Sequence, residues 1–113
     1  MNKYNAKKTG LDGFTFDSAR EAQEYLRLKL LKKAGEIKDF QPHPTFILQE
    51  RFKRDGHTYA AIRYTPDFLV EYPDGRQAAV EVKSEATRRA RDYSIRKRLF
   101  LNIYRDIDFV EVL

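Results

Sequence analysis

The sequence predicts an α/β (α+β) fold, a mixed β-sheet with flanking helices in an order close to αβββαβ. Apolar residues recur at helical spacing between residues 18 and 34, whereas the segments Ala60 to Tyr72 and Gln77 to Ser84 are rich in the β-branched and aromatic residues of strands. The stretch from Glu85 to Tyr104 lacks Gly and Pro, and a short apolar segment, Asp106 to Leu113, closes the chain. We therefore expect one helix before the strands and a second helix that leads into a last strand.

The first predicted helix runs from Ser18 to Ala34, with Ser18 as its N-terminal cap and Gly35 as a natural stop. The residues expected on its buried face are Ala19, Ala22, Leu26 and Leu30, widened by Tyr25, Leu28 and Leu31. Such a face predicts that the helix packs against the sheet.

The central strands are expected to form an antiparallel meander. Pro42 and Pro44 confine the first regular strand to Thr45 to Phe52, because proline cannot donate to a β-ladder. The dipeptide Asp55-Gly56 then forms a turn, and the next strand begins at His57.

The segment Pro73-Asp74-Gly75 joins the last two of these strands and fits a three-residue loop, a type I turn followed by a left-handed glycine. That loop places Asp67 opposite Glu81, on the face of the hairpin that also carries Lys83. The other face then holds apolar side chains, namely Phe68, Val70, Val80 and Val82. A two-residue loop would put Phe68 beside Glu81 and mix core with charge, so the three-residue loop is preferred.

Asp67 and Glu81 would then form a carboxylate pair with Cβ atoms about 4.5 to 5.5 Å apart. Two such charges repel each other on a partly buried sheet face, and a divalent cation removes that cost. Oxygen ligands suit Mg²⁺, with Mn²⁺ as a substitute, and Lys83 beside the metal can hold the attacking water or offset charge in the transition state. The pattern indicates metal-assisted phosphodiester hydrolysis. The alternative is a solvated polar face on which Lys83 forms an ordinary salt bridge.

The second predicted helix is strongly basic, since residues 84 to 105 carry seven Arg or Lys against Glu85 and Asp92. Its expected buried stripe consists of Ile95, Leu99 and Ile103, extended by Phe100. The candidate nucleic-acid contacts are Arg88, Arg89, Arg91, Tyr93, Arg96 and Lys97, with Tyr93 able to stack on a splayed base. Lys97 is the favoured phosphate contact, although the sequence does not decide between it and Arg96. A solvated surface without a partner is the alternative.

These motifs resemble the PD-(D/E)XK nuclease superfamily, whose signature corresponds to Pro66-Asp67 and Glu81-Val82-Lys83 in this chain. The run from Gly13 to Ser18, with Glu21 in the helix that follows, is similar to small phage and prophage endonuclease-like proteins related to Holliday junction resolvases. The resemblance implies a restriction-endonuclease-like core and a Mg²⁺-dependent endodeoxyribonuclease acting on branched or junction DNA. It also implies the catalytic residues Glu21, Asp67, Glu81 and Lys83, and a metal bound by Asp67, Glu81, the Val82 carbonyl and, through water, Glu21.

Glu21 has a second interpretation. Ser18 and Glu21 are spaced as a capping box, in which the glutamate side chain reaches back to the backbone N–H of the N-terminal cap. The resemblance favours a metal-site residue, whereas the spacing favours the cap, and both interpretations stay open. His43 and His57 have no matched ligand spacing, so surface or turn positions are expected for them.

With 113 residues, 42% of them hydrophobic, the chain can bury one modest core. We expect a basic N-terminal arm, residues 1 to 13, and a single nuclease-like domain, residues 14 to 113. The net charge of +5 favours an acidic polymer as partner, DNA first and RNA as the alternative. The sequence has no cysteine and no apolar run long enough to cross a membrane, so thiol chemistry is excluded and a cytoplasmic protein is expected.

Two alternatives remain at this stage. A homodimer would add stability and would place two sites on one nucleic acid. The competing function class is a non-catalytic nucleic-acid-binding module that keeps the nuclease fold and uses the acidic cluster for structure alone.

Overall fold

The computed structural model describes residues 9–83 and 91–112, with Arg91 described in its backbone only. In chain order, the elements of this part are β1 (Thr9–Leu11), β2 (Phe14–Phe16), α1 (Ala19–Lys33), β3 (Asp39–Pro42), β4 (Phe46–Gln49), β5 (Phe52–Arg54), β6 (His57–Tyr59), β7 (Ile62–Tyr64), β8 (Phe68–Glu71), β9 (Gln77–Val82), α2 (Arg91–Ile103) and β10 (Ile107–Val112). The mixed class of α and β structure expected from the sequence is confirmed.

The main sheet has four strands in the order β10-β9-β8-β3. Strand β10 runs parallel to β9, while β8 is antiparallel to both of its neighbours. A parallel pair needs a crossover connection, and α2 lies in the segment that links β9 to β10. The predicted helix and last strand are therefore present, and the sheet is mixed as expected.

The two faces of β9 contribute to two different cores. Val80 belongs to a cluster that includes Leu28 of α1, whereas Ala79 belongs to a second cluster with Phe100 of α2. Because alternate residues of a strand point to opposite faces, Glu81 shares a face with Ala79. The proposed acidic pair thus lies on the side of the sheet that α2 covers.

The hairpin of β8 and β9 has the predicted register. Phe68 pairs with Val80, and the backbone N–H of Tyr72 donates to the carbonyl oxygen of Arg76 at 2.8 Å. Gly75 has a φ of 92°, in the left-handed region that glycine adopts without strain. The prediction of a three-residue loop is confirmed, and the register brings the residue just before Phe68 beside Glu81.

Strands β3 to β8 form one long, interrupted hairpin, paired from Asp39 with Glu71 near its base to Phe52 with Tyr59 near its tip. The turn at Asp55-Gly56 joins β5 to β6 as predicted. The antiparallel meander is therefore confirmed in outline.

The strand bounds differ from the prediction. The continuous strand expected over residues 45–52 is wrong, because β4 ends at Gln49, the register shifts there and β5 begins at Phe52. The prediction also missed β3, whose last residue is Pro42. Since β3 lies at the edge of the main sheet, its proline need not donate to a further strand. On the return side, residues 65–67 leave the ladder between β7 and β8.

A short hairpin precedes α1. Thr9 of β1 pairs with Phe16 of β2, and the Phe16 side chain is fully buried in the cluster beneath α1. Residues 9–13, which the sequence assigned to a basic arm, therefore belong to this hairpin. Residues 1–8 of that arm lie outside the described part of the chain.

Helix α1 has the predicted start and end but only part of the predicted buried face, namely Ala22, Tyr25 and Leu28. Leu26 and Leu30 are 46% and 68% exposed, and Ala19 is exposed as well. The residues that α1 buries are Glu21, Ala22, Glu24, Tyr25 and Leu28. The periodicity of apolar residues gives no sign that a glutamate is buried, whereas Glu24 is buried against the Arg27 guanidinium through two hydrogen bonds of 2.8 Å.

Helix α2 also turns a different face inward. Ile95 and Ile103, predicted to be buried, are 55% and 45% exposed, whereas Phe100 is fully buried. Aromatic rings supply the contact, since the Phe100 ring centroid lies 5.0 Å from that of Phe46 and 5.6 Å from that of Tyr64. Residues 85–90 of the predicted helix lie outside the described residues. In the part that is described, no helix is long and apolar enough to cross a membrane.

Candidate active site

The centre of the candidate site is a pair of carboxyl groups, those of Asp67 and Glu81. Asp67 directly precedes β8, and its Oδ2 accepts a hydrogen bond from the backbone N–H of Val82 at 2.6 Å. Glu81 lies in β9 with only 8% of its surface exposed, and its Oε1 accepts from the Tyr64 hydroxyl at 2.5 Å. The β-ladder and two protein donors therefore fix both carboxyl groups in place.

The two groups strongly affect each other's ionisation. Burial raises the pKa of Glu81, and Asp67 beside it raises that pKa further, to about 8. Burial also raises the pKa of Asp67. Near neutral pH the pair therefore retains a proton, which is the expected state of two close carboxyl groups without a cation between them.

Tyr64 is a site residue that the sequence analysis missed. It lies at the end of β7, is 4% exposed, and donates to Glu81 from within the aromatic cluster around Phe100. Burial and the neighbouring Glu81 raise the pKa of Tyr64, so its hydroxyl stays a proton donor. Nothing in the local sequence distinguishes Tyr64 from an ordinary core aromatic, because its partner is set by the pairing of distant strands.

Glu21 approaches the pair from α1. Its side chain is 5% exposed, and its Oε1 lies 2.7 Å from Nε2 of His43. Burial raises the pKa of Glu21, and the nearby Asp67 raises it further. A third carboxyl group is thus held within electrostatic reach of the first two, from the opposite side of the sheet.

The backbone of Glu21 takes part in the helix cap, whereas its side chain does not. The backbone N–H of Glu21 donates to Ser18 Oγ at 3.1 Å, so Ser18 is the N-terminal cap. The Glu21 carboxylate, however, is directed to His43 rather than back to Ser18. Half of the predicted capping box therefore forms, and the glutamate side chain is left to the candidate site.

His43 occupies a turn, as expected, but its contact with Glu21 was not foreseen. Its φ is 52°, and its backbone N–H donates to the carbonyl oxygen of Asp67 at 2.9 Å. The ring also packs at 5.6 Å from the ring of Phe16. His43 therefore links the strand that carries Asp67 to the helix that carries Glu21, a connection that only the tertiary fold creates.

Lys83 follows β9 and is held by a residue of the last strand. Its Nζ lies 3.2 Å from Oε2 of Glu111, and Nζ of Lys97 lies 3.1 Å from Oε1 of the same carboxylate. The Tyr93 hydroxyl donates to Glu111 as well. Burial alone would raise the pKa of Glu111, but the hydrogen bonds from Tyr93, Lys97 and Lys83 outweigh it and lower the pKa to about 2.

The same network places the candidate nucleic-acid contacts. Lys97 shares a carboxylate with Lys83, whereas Arg96 donates from Nε to the carbonyl oxygen of Arg63 at 2.9 Å and pairs with Asp92 at 3.3 Å. Tyr93 is half-buried, and the Lys83 ammonium lies 5.5 Å from the centre of its ring. Arg88, Arg89 and the side chain of Arg91 lie outside the described residues.

The two carboxylates of the pair, Asp67 and Glu81, are ligands of the type and number that Mg²⁺ takes from a protein. Among the described residues, no group of three or more His, Cys, Asp or Glu side chains is arranged to hold a metal ion. Mg²⁺ commonly takes one or two carboxylates from a protein and completes its shell with waters and substrate phosphates. Asp67 and Glu81 supply two such carboxylates, and the proton that they retain marks a position where a cation would relieve their repulsion.

Comparisons with known proteins identify a family without a known activity. The family model described as "Protein of unknown function (DUF1064)" matches residues 1–112, so the chain belongs to that family. No curated protein matches the chain. No solved structure matches it either.

Proposed function

We propose, for this member of a family of unknown function, that the chain is a Mg²⁺-dependent endodeoxyribonuclease with branched or junction DNA as its preferred substrate. The observation that carries the proposal is the Asp67–Glu81 pair, half-buried at Asp67 and buried at Glu81, with a pKa for Glu81 of about 8. Placing two carboxyl groups together away from water costs stability, and perturbed carboxyl groups cluster at functional sites. The resemblance to PD-(D/E)XK nucleases supports the same assignment.

In this proposal, Asp67 and Glu81 hold the cation, with the Val82 carbonyl as a further oxygen ligand. When bound, Mg²⁺ supplies positive charge that polarises the scissile phosphate and makes water a better nucleophile. The Val82 N–H and the Tyr64 hydroxyl keep the two carboxyl groups in fixed orientations through hydrogen bonds of 2.6 and 2.5 Å. Such preorganisation lowers the cost of assembling the site.

Lys83 and Glu21 act on the reacting groups. The Lys83 ammonium donates to a non-bridging phosphate oxygen, where negative charge develops, and Glu21 orients the attacking water. Attack by water forms one P–O bond as the P–O bond to the leaving sugar oxygen breaks. The proton that the water releases is balanced by the proton that the leaving oxygen takes up.

Positive charge beside the acidic pair supports a nucleic acid as substrate. Lys97 and Lys83 outnumber the single Glu111 between them, and the chain as a whole carries a net charge of +5. Contacts of this type bind the sugar-phosphate backbone without reading sequence, which suits a substrate recognised by its shape. A homodimer would allow paired cuts. We place this activity in the cytoplasm.

A second candidate function is a non-catalytic nucleic-acid-binding module. One observation favours it: the carboxyl groups of the site already have protein partners, since Asp67, Glu81 and Glu21 accept from Val82, Tyr64 and His43 respectively. A structural role would need no cation. A cleavage assay separates the two functions.

The assay compares the wild type, Lys83→Ala and Lys33→Ala on duplex, single-stranded and four-way-junction DNA and on RNA, with Mg²⁺, Mn²⁺ or a chelator. Lys33 is an exposed lysine at the end of α1, so it controls for loss of one positive charge. We expect metal-dependent cutting, strongest on junctions, by the wild type and Lys33→Ala but not by Lys83→Ala. Binding without cutting by all three proteins would favour the binding module.

A further inference from the structure

The tip of the long hairpin is a two-stranded ribbon that projects from the protein. This distal ribbon, residues 49–60, contains β5, the turn at Asp55-Gly56 and β6, and every one of its residues is exposed. An isolated two-stranded hairpin is marginally stable in water and adds no core to the domain. The distal ribbon therefore needs an explanation other than stability.

One face of the distal ribbon carries a stacked aromatic pair. Phe52 and Tyr59 pair across the strands with ring centroids 4.8 Å apart and planes within 12° of parallel, yet they remain 41% and 49% exposed. Arg54 and His57 form the next pair on the same face. Flat rings beside a guanidinium, left open to solvent, form a platform on which a planar ligand can stack.

The charges around this platform favour a polyanion. Arg54 shares the face of the rings, whereas Lys53 lies on the other face and Arg51 precedes β5; the acidic residues of the ribbon are Glu50 and Asp55. Asp55 is at the turn, 3.6 Å from Arg54. A nucleic acid would pair each of these cations with a phosphate.

The distal ribbon is continuous with the candidate active site. Its return strand leads through β7 to Tyr64, which donates to Glu81, and Arg96 of α2 holds the carbonyl of Arg63 beside it. The five residue-to-residue steps from Tyr59 to Tyr64 span about 17 Å at the rise of an extended strand. That length corresponds to about five base pairs of duplex, at 3.4 Å each.

We propose that the distal ribbon is a second DNA-contact surface, on which Phe52 and Tyr59 stack against an unpaired or terminal base of branched DNA about five base pairs from the cut. Arg54, beside the rings, contacts an adjoining phosphate, and Arg51 and Lys53 add positive charge to the ribbon. The inference rests on the proposed function in one respect, that the nucleic acid is the substrate of the acidic pair. It adds a physical basis for choosing branched DNA, because intact duplex offers no open base face along its length.

The test measures binding separately from cutting. In the Lys83→Ala background, the double variant Phe52→Ala/Tyr59→Ala is compared with Leu26→Ala/Leu30→Ala, which removes an exposed apolar pair from α1. Fluorescence anisotropy gives the affinity of each for a four-way junction and for intact duplex. We expect the ribbon variant to bind the junction about tenfold or more weakly, and the α1 variant to stay within about twofold.

A 2-aminopurine placed at the branch point reports stacking directly, through a change in its fluorescence that the ribbon variant loses. Arg54→Ala, a milder change at the exposed tip, should show a smaller loss in the same direction, and thermal unfolding verifies that each variant is folded. Unchanged junction affinity in the folded ribbon variant overturns the inference, as does a change in oligomeric state with no change in DNA binding. If a ribbon variant with Lys83 intact cuts junctions as efficiently as the wild type, the ribbon proposal is overturned but the nuclease function is not. If the wild type never cuts but its DNA binding depends on the ribbon, the nuclease function is overturned and the ribbon proposal is retained.

Discussion

Glu81 and Glu111 are paired residues of the parallel strands β9 and β10, yet their surroundings drive their ionisation in opposite directions. Burial and the neighbouring Asp67 raise the pKa of Glu81 to about 8. Burial opposes ionisation of Glu111 too, but Tyr93, Lys97 and Lys83 lower its pKa to about 2. One carboxyl group is therefore poised to exchange a proton for a cation, and the other anchors the lysines beside it.

Replacement of Glu81 by Gln should stabilise the protein at high pH in the presence of a chelator. A carboxyl group with a higher pKa in the folded than in the unfolded state makes unfolding easier as pH rises from its ordinary value, 4.5, to about 8. Gln keeps the acceptor for Tyr64 without the charge. We expect equal stability near pH 5 and a gain of at least about 1 kcal/mol above pH 8, measured by urea unfolding. A loss of stability at every pH would contradict the assigned ionisation.

Glu111→Gln should have the opposite pH dependence. The lowered pKa means that the carboxylate stabilises the fold above its ordinary pKa of 4.5 and loses that contribution as pH falls towards 2. We expect a loss of about 2 kcal/mol at pH 7, because charged hydrogen bonds to two lysines and a tyrosine are weakened. The difference from wild type should shrink as urea unfolding is repeated at lower pH. A constant difference would show that packing, rather than charge, is responsible.

The two histidines offer a matched pair of variants. His43→Ala leaves the 5% exposed carboxyl group of Glu21 without its partner, and should cost about 1 to 3 kcal/mol of stability. His57→Ala changes an exposed residue of the distal ribbon and should stay within about 0.5 kcal/mol of wild type. Thermal unfolding of both proteins provides the comparison. Equal effects of the two substitutions would argue against a specific role for His43.

The revised buried face of α2 can be tested in the same way. Phe100→Ala removes a fully buried ring from the second aromatic cluster and should cost about 3 to 5 kcal/mol. Ile95→Ala, at a position that is 55% exposed, should change the free energy of unfolding by less than about 0.5 kcal/mol. If Ile95→Ala proved the more damaging of the two, the face predicted from the sequence would be buried after all. Either the helix would then pack differently from this structure, or a dimer would cover that face.

The hairpin at the site could be predicted from sequence because its constraints are local. Pro73-Asp74-Gly75 fixes the loop, and one register separates charged from apolar residues, so the position of Asp67 beside Glu81 follows from side-chain alternation. The helix bounds were also predictable, because Ser18 caps α1 and Gly35 adopts a φ of 80° just after it.

The remaining contacts could not be predicted, because distant parts of the chain create them. Helical periodicity assigned Leu26 to the core, but it did not reveal that Glu21 is buried with His43 as its partner. Tyr64 and Glu111 likewise gain their roles from pairing between strands. A polar residue that is buried with a partner is indistinguishable, by composition alone, from one that is solvated.

Cation binding is the most direct test of whether the Asp67–Glu81 pair is a metal site. Isothermal titration of Mn²⁺ into metal-free protein, repeated at pH 7 in two buffers of different ionisation enthalpy, reports both binding and proton release. We expect one bound cation that displaces about one proton, since the pKa of Glu81 is about 8. We also expect that Glu81→Gln and Asp67→Asn lose cation binding. Absence of binding, or binding that survives both substitutions, would contradict a metal site at this pair.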